Sequence, residues 1–196
     1  MDTSPENTNV QPKFKVVFLG DNFPPDPRME ELKYWCNEFS RVGLMPRYAG
    51  GAFGNLSFRF NRGHGEFIIT ASGMKDTAKD DSFVMVTSID FEQEIVYCHG
   101  LRAPSSESML HYLIYQQRKD INAVFHGHCQ KLLDCADKLK LPCTPKEEPY
   151  GTLALAQGVL KVLDNHQLVI MKNHGFIAVG KDMAEAGSVA LQARAT

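Results

Sequence analysis

The chain has 196 residues, of which 43% are hydrophobic, and this size and composition fit one domain with a full-sized core. The net charge is −2 and the sequence has no basic stripe interleaved with aromatic residues, which argues against nucleic acid as a partner. No apolar run approaches the roughly 20 residues of a membrane span, and the first residues resemble neither a signal nor a transit peptide.

The N-terminal residues and the cysteines indicate the domain organisation and the location of the protein. Residues 1–13 have no apolar core and predict a disordered lead, and residues 14–196 predict a single domain. The five cysteines are odd in number, and their spacing matches neither a CxxC metal pair nor a disulfide framework. Reduced thiols are typical of the cytosol, so we expect a cytoplasmic protein.

In chain order, a strand is predicted at 14–20 and a helix at 29–42, which Gly43 ends. A glycine-rich stretch then leads into alternating apolar residues at 56–60. Further strands are predicted at 66–70, 83–89, 94–100, 122–128, 167–173 and 175–180. Further helices are predicted at 105–118, 129–139, 152–165 and 182–195. Because several strands follow one another through short turns, we predict a mostly antiparallel sheet with helices packed on it.

Two histidines in "VFHGHC" are candidate metal ligands. His126 and His128 lie two residues apart in a predicted strand, so their side chains share one face. A pair of imidazoles placed in this way commonly binds a divalent cation. His174, in the turn between two apolar strands, is the candidate third ligand. We expect the histidines in other turns and at other element ends to lie on the surface or to be structural: His64, His99 and His166.

Glu107 has two interpretations. It stands at the start of a predicted helix, where Ser105 or Ser106 would cap the chain and the carboxylate would offset the helix dipole. Alternatively, the carboxylate projects into the same pocket as the histidines. There it could move a proton to and from a carbon or hydroxyl group.

Two further stretches contain the residue types that bind anions. The segment 50–57 combines glycines with an asparagine and a serine, and the segment 70–75 offers hydroxyl groups, a glycine amide and Lys75. With the serines at the start of the helix, these groups could surround a phosphate. Each stretch alone is also typical of an ordinary turn, and neither matches a known nucleotide fingerprint.

The order of these motifs resembles the class II aldolase/adducin family, which includes fuculose- and rhamnulose-phosphate aldolases and ribulose-phosphate 4-epimerase. The resemblance begins near Met29 and does not cover the first predicted strand. It implies an α/β fold, a three-layer α/β/α sandwich around a central, mostly antiparallel sheet, assembled as a homotetramer. Five motifs carry it: "GNLSFR" (54–59), "ITASG" (69–73), "APSSESMLH" (103–111), "AVFHGH" (123–128) and "MKNHGFIAVGKDMAEA" (171–186).

The resemblance also implies roles for individual residues. His126, His128 and His174 would bind Zn²⁺ or another divalent metal, and Glu107 would be the catalytic acid and base. His111 would have a supporting role. The positions that hold the substrate phosphate would be Asn55, Ser72, Gly73, Ser105 and Ser106.

The implied function is a metal-dependent aldolase, a lyase that cleaves a phosphorylated ketose through a metal-stabilised enediolate. A sugar-phosphate 4-epimerase or a methylthioribulose-phosphate dehydratase would use the same site, and a non-catalytic adducin-like binding module is the alternative outside enzymes. The sequence departs from the family at Gly127 and Cys129, where hydroxyl residues are common. No tyrosine follows Tyr150, although several members bring a C-terminal tyrosine over the site.

Overall fold

The computed structural model describes residues 12–61, 65–74 and 78–195. Five α-helices occur in these ranges: α1 (Arg28–Arg41), α2 (Ser108–Gln117), α3 (Gln130–Cys135), α4 (Leu153–Leu163) and α5 (Met183–Ala195). Ten strands occur in the same ranges: β1 (Lys15–Gly20), β2 (Arg47–Tyr48), β3 (Gly51–Ala52), β4 (Asn55–Arg59), β5 (Phe67–Thr70), β6 (Phe83–Asp90), β7 (Ile95–His99), β8 (Ala123–Gly127), β9 (Leu168–Met171) and β10 (Gly175–Gly180).

Eight of these strands form one sheet in the spatial order β1-β7-β6-β5-β4-β8-β10-β9. β1 pairs in parallel with β7, whereas every other pair of neighbours in the sheet is antiparallel. The short strands β2 and β3 form a separate hairpin. The central sheet is therefore mostly antiparallel, as predicted.

Helices cover both faces of the sheet. On one face α1 contacts β4, and α5 contacts β8, β10 and α3. On the other face α2 and α4 pack against each other and contact β6 and β9. Two separate apolar clusters fill the interfaces between helices and sheet. The arrangement is a three-layer α/β/α sandwich, which confirms the predicted fold class.

The first helix illustrates how the sequence sets this layering. Leu32, Trp35, Cys36 and Phe39 recur at helical spacing, and all four are buried against the sheet. The chain leaves the helix where Gly43 adopts a φ of +79°, a conformation that glycine takes at little cost. The predicted helix and its end are confirmed.

Alternate residues of β4 face different layers, as in any strand. Leu56 and Phe58 belong to the apolar cluster beneath α1. Ser57, between them, points to the opposite layer and contacts His111 and Tyr115 of α2. The side of β4 that faces α2 is therefore polar although it is buried.

Several element boundaries differ from the prediction. α2 begins at Ser108 and not at residue 105, because Ser108 Oγ donates to the Ser105 carbonyl at 2.7 Å and closes a turn first. α3 ends at Cys135, since the following residues form turns that include Lys140 at a φ of +52°. β8 ends at Gly127, one residue before the second histidine of its motif.

Some predictions lie outside the described residues, among them His64, Lys75 and most of the predicted lead. The division into a lead over 1–13 and one domain over 14–196 stays a prediction. Within the described ranges, no helix combines the length and apolarity that crossing a membrane requires, and the longest, α1, has 14 residues.

Candidate metal centre

The candidate ligands lie where three neighbouring strands end. His126 is one residue from the end of β8, and it pairs directly with Asn55, the first residue of β4. His174 immediately precedes β10, which is the neighbour of β8 on its other side. Because antiparallel neighbours run in opposite directions, the start of β4, the end of β8 and the start of β10 meet at one end of the sheet.

A tight turn between β9 and β10 presents His174. Asn173 takes a φ of +56°, a region that asparagine tolerates better than most residues. Gly175 follows at a point of close approach between β10 and β8. A Cβ atom there would lie 2.5 Å from the Gly127 oxygen and 2.8 Å from His126 Cε1. A glycine at this position therefore lets the two histidine-bearing segments come together.

The three imidazoles converge on one point. The Nε2 atoms of His126 and His128 are 3.0 Å apart, and the three ring centroids are separated by 4.7, 5.0 and 5.2 Å. His126 Nδ1 lies 2.9 Å from the carbonyl oxygen of Phe176, so Nδ1 carries the proton and Nε2 presents its lone pair to the cluster. One candidate ligand atom from each histidine lies within 4.8 Å of the other two. This donor set fits a divalent cation.

Glu107 closes the cluster from the side of α2. Its Oε2 lies 3.1 Å from His126 Nε2, and its Oε1 lies 3.1 Å from His174 Nε2. Asn55 Nδ2 donates one of its two amide hydrogens to Oε2 at 3.0 Å. Although Glu107 occupies the N-cap position of α2, its side chain makes no capping hydrogen bond. The geometry therefore favours the interpretation in which the carboxylate belongs to the pocket.

Burial and the contacts among the three histidines and Glu107 together set the charges of these four side chains. Burial lowers the pKa of His126 and, with the other imidazoles, lowers the pKa of His128 to about 3. Burial also acts to lower the pKa of His174, but the hydrogen bond and charge of Glu107 outweigh it and raise that pKa. For Glu107, burial acts to raise the pKa, but the two histidines and Asn55 hold it well below its usual range. The cluster thus presents an ionised carboxylate and, at His126 and His128, neutral imidazoles, which suit a cation that displaces the proton of His174.

A cavity of about 620 Å³ opens in front of the imidazoles. The Arg102 guanidinium donates to the carbonyl oxygens of Ser72 at 2.9 Å and Gly73 at 2.7 Å, which ties down the loop after β5. The same cavity is lined by all five residues that were predicted to bind the substrate phosphate: Asn55, Ser72, Gly73, Ser105 and Ser106. The phosphate-binding role of these five residues stays a prediction.

The cavity has further walls that the sequence analysis did not single out. The Phe53 ring lies 5.3 Å from the His128 ring, and the Tyr48 ring lies 4.5 Å from Phe53. Glu147 and Tyr150, from the segment between α3 and α4, also line the cavity. Isolated aromatic residues in loops carry no periodic signal, so only the folded chain reveals them. Tyr150 places a phenol of this chain at the site.

The remaining candidates lie outside the imidazole cluster. Cys129 is half-buried at the start of α3 and lines a neighbouring cavity behind His128 and His174. His99 is half-buried at the end of β7, and His166 is exposed after α4. Among the described residues, these side chains are not part of the group that could hold a metal.

The chain matches the family model of the class II aldolase and adducin N-terminal domain over residues 30–194. The chain belongs to the class II aldolase and adducin family. The matched region contains every predicted site residue and leaves out β1, as the sequence resemblance does.

Individual class II aldolases are similar to this chain over most of its length. The 5-deoxy-D-ribulose 1-phosphate aldolase of Bacillus thuringiensis serovar kurstaki is 31% identical over 155 residues, which is 71% of this chain and 70% of that protein. The L-fuculose phosphate aldolase of Methanococcus maripaludis is 33% identical over 158 residues, or 71% of this chain and 79% of that protein. A solved L-fuculose 1-phosphate aldolase structure matches with a TM-score of 0.70 at 25% identity, covering 88% of this chain and 85% of that one. These relatives support a lyase with the class II aldolase fold.

Proposed function

We propose that this chain is a metal-dependent aldolase that cleaves a phosphorylated ketose into dihydroxyacetone phosphate and an aldehyde. One observation carries the proposal: the Glu107 carboxylate lies 3.1 Å from two of three convergent imidazoles, inside a cavity lined by hydroxyl groups. A group that transfers protons beside a cation site is what this cleavage requires. The substrates in the names of the two relatives, 5-deoxy-D-ribulose 1-phosphate and L-fuculose phosphate, are the first to test.

The site residues divide the work of cleavage. Cleavage breaks the bond between the third and fourth carbons, counted from the phosphate-bearing end of the ketose. The electrons of this bond stay on the third carbon, which belongs to the three-carbon fragment. A divalent cation held by His126, His128 and His174 would supply positive charge beside the carbonyl oxygen. Glu107 delivers a proton to the carbon that keeps the electrons, and removes it in the direction of synthesis. The Glu107 carboxylate gains this proton from the hydroxyl group of the departing part, which loses it as the aldehyde forms, so the protons balance.

Two sets of donors would hold the substrate phosphate. Ser105 and Ser106 stand before the N-terminus of α2, where the helix dipole favours negative charge. Ser72 and Gly73 line the same cavity. The second amide hydrogen of Asn55 would add a donor next to Glu107. Fixing the phosphate in this way would hold the reacting carbons beside the carboxylate.

Metal analysis and product analysis test the proposal. Purified protein loaded with zinc is incubated with L-fuculose 1-phosphate, L-rhamnulose 1-phosphate, 5-deoxy-D-ribulose 1-phosphate, ribulose 5-phosphate and methylthioribulose 1-phosphate, and products are identified by NMR. We expect one divalent ion per chain and release of dihydroxyacetone phosphate from at least one ketose 1-phosphate. An epimerised pentose phosphate, or loss of water from methylthioribulose 1-phosphate, would assign the site to the epimerase or the dehydratase instead.

A preparation that binds no stoichiometric metal and converts no substrate would favour the non-catalytic adducin-like module. Three convergent imidazoles with a carboxylate beside them argue against that outcome. Zinc as the metal, a homotetramer and a cytoplasmic location stay predictions.

A further inference from the structure

A row of buried polar side chains continues from the site along the interface between β4 and α2. Asn55 contacts Glu107 in the site itself. Behind this pair lie four polar residues that the proposed chemistry does not use, here called the β4–α2 seam. Each is at most 3% exposed: Ser57, Arg59, His111 and Tyr115.

The contacts of the seam are specific. Ser57 Oγ lies 2.7 Å from His111 Nδ1 and 2.8 Å from the Tyr115 hydroxyl. The Arg59 guanidinium donates to the Tyr115 carbonyl oxygen at 2.8 Å and to the Ile121 carbonyl oxygen at 3.0 Å. It also lies over the Tyr115 ring, 4.7 Å from its centroid. Ser57 has one hydrogen to donate, so it serves both neighbours only if one of them donates to it.

The spacing of the two elements matches along the seam. Asn55, Ser57 and the arginine follow one another by two residues on one face of β4, an advance of about 6.7 Å per step. Glu107, His111 and Tyr115 follow one another by four residues on one face of α2, an advance of about 6 Å per step. Two polar rows of nearly equal pitch can therefore pair step by step, with the catalytic pair as the first step.

The seam is connected to the metal ligands through β4. Ser57 pairs with Val124 of β8 in the same register in which Asn55 pairs with His126. The strand pair that holds His126 is therefore the same strand pair against which the seam holds α2.

We propose that Ser57, Arg59, His111 and Tyr115 are positioning residues that set where the Glu107 carboxylate lies relative to His126. The catalytic meaning of this inference rests on the proposed function of Glu107. An apolar interface could bury α2 equally well, because exchanging both partners of a buried hydrogen bond for apolar groups is nearly neutral for stability. Hydrogen bonds add direction, which apolar contacts do not, and a displacement of about 1 Å can lower a rate by roughly 100-fold.

Variants of His111 test the role of the seam. His111→Leu keeps the volume but removes the hydrogen bond to Ser57. His111→Asn keeps a polar atom near the place of Nδ1, and among the described residues Nε2 has no partner to lose. Ile114→Val, a buried residue of the same helix outside the seam, controls for reduced packing of α2. Tyr115→Phe, which removes only the hydroxyl group, serves if the leucine variant does not fold.

The first readout is exchange of the carbon-bound hydrogen of dihydroxyacetone phosphate in D₂O, followed by NMR on zinc-loaded protein. We expect His111→Leu or Tyr115→Phe to lower the exchange rate roughly 10- to 100-fold. The zinc content should change by less than about twofold, since none of the three imidazoles belongs to α2. His111→Asn and Ile114→Val should stay within about threefold of the wild type.

The second readout is the crystal structure of each variant, which does not depend on activity. We expect the distance from Glu107 Oε2 to His126 Nε2, 3.1 Å here, to grow by about 1 Å or more in His111→Leu and to be kept in His111→Asn. An unchanged distance, or an exchange rate that falls equally in the isoleucine control, would overturn the proposal. A wild-type protein without any exchange would contradict the proposed function. The distance between Glu107 and His126 in the variant crystal structures would then be the only test of the positioning role of the seam.

Discussion

The Glu107→Gln variant separates proton transfer from metal binding with little change of shape. The glutamine oxygen can still accept the hydrogen bond that Asn55 Nδ2 donates at 3.0 Å. The three imidazole nitrogens are untouched, and the charge that raises the pKa of His174 is gone, so protons compete less with the metal at that ligand. We therefore expect full metal content. Loss of a general acid and base should lower kcat by roughly 10²- to 10⁴-fold, which is about 3–5 kcal/mol of transition-state stabilisation.

The assay is the steady-state release of dihydroxyacetone phosphate at saturating ketose phosphate, with metal content measured on the same preparation. Glu185→Gln is the matched control. Glu185 also stands at the start of a helix, where its Oε2 accepts a hydrogen bond from the Lys181 amide at 2.6 Å, but it lies outside the site. We expect its kcat to stay within about twofold of the wild type.

Two results would refute this reasoning. A kcat for Glu107→Gln within about tenfold of the wild type, with the metal retained, would mean that another group moves the proton. Loss of the metal from this variant would mean that the carboxylate is a ligand.

Removing a ligand gives the next prediction: His126→Ala should no longer retain stoichiometric metal after dialysis, and full occupancy would contradict the site. Burial lowers the pKa of His111 to about 3, below its ordinary 6.5, so in metal-free protein its contribution to stability is complete above pH 6.5 and is lost as the pH falls. Urea titrations between pH 7 and pH 5 should show a loss of stability that is about 2 kcal/mol smaller in His111→Asn than in the wild type, because His126 and His128 still contribute, and equal losses would contradict the prediction. Gly175→Ala should cost about 1–3 kcal/mol and weaken metal binding, because its Cβ would meet the Gly127 oxygen at 2.5 Å. Gly158→Ala, inside α4, should instead stabilise by about 0.5–1 kcal/mol, because the nearest atom of the described residues outside the helix, Thr144 Cγ2, is 3.9 Å from the new Cβ, and thermal unfolding of both variants decides.

Local patterns predicted the parts of this structure that depend on neighbours in sequence. The helix at 29–42 follows from apolar residues at helical spacing, and the shared face of His126 and His128 follows from the two-residue period of a strand. Predicting His174 as a ligand also required the order of the motifs, because a histidine in a turn belongs to no periodic pattern. The parallel pairing of β1 with β7 depends on contacts between distant segments, which no local pattern carries.

The β4–α2 seam shows a second reason why sequence reasoning stopped short. Polar residues alternate with Leu56 and Phe58 along β4, and alternation indicates two faces without saying whether the polar face is wet. Ser57 and Arg59 proved to be buried, because α2 presents His111 and the backbone of its last turn to them. Tyr150 was missed for another reason, since an isolated aromatic residue in a loop carries no periodic signal.

The direct pairing of Asn55 with His126 has a consequence for how this fold tolerates changes in length. Deleting or inserting one residue in β4 would turn Asn55 away from the carboxylate, and the same change in β8 would turn His126 away from the other ligands. The connection between α3 and α4 carries one isolated bridge to the sheet, from Cys143 to Ile170 of β9, and its residues before and after that bridge are free of the constraint. Relatives should therefore gain and lose residues there, while the two-residue steps of β4 and of the histidine pair stay intact.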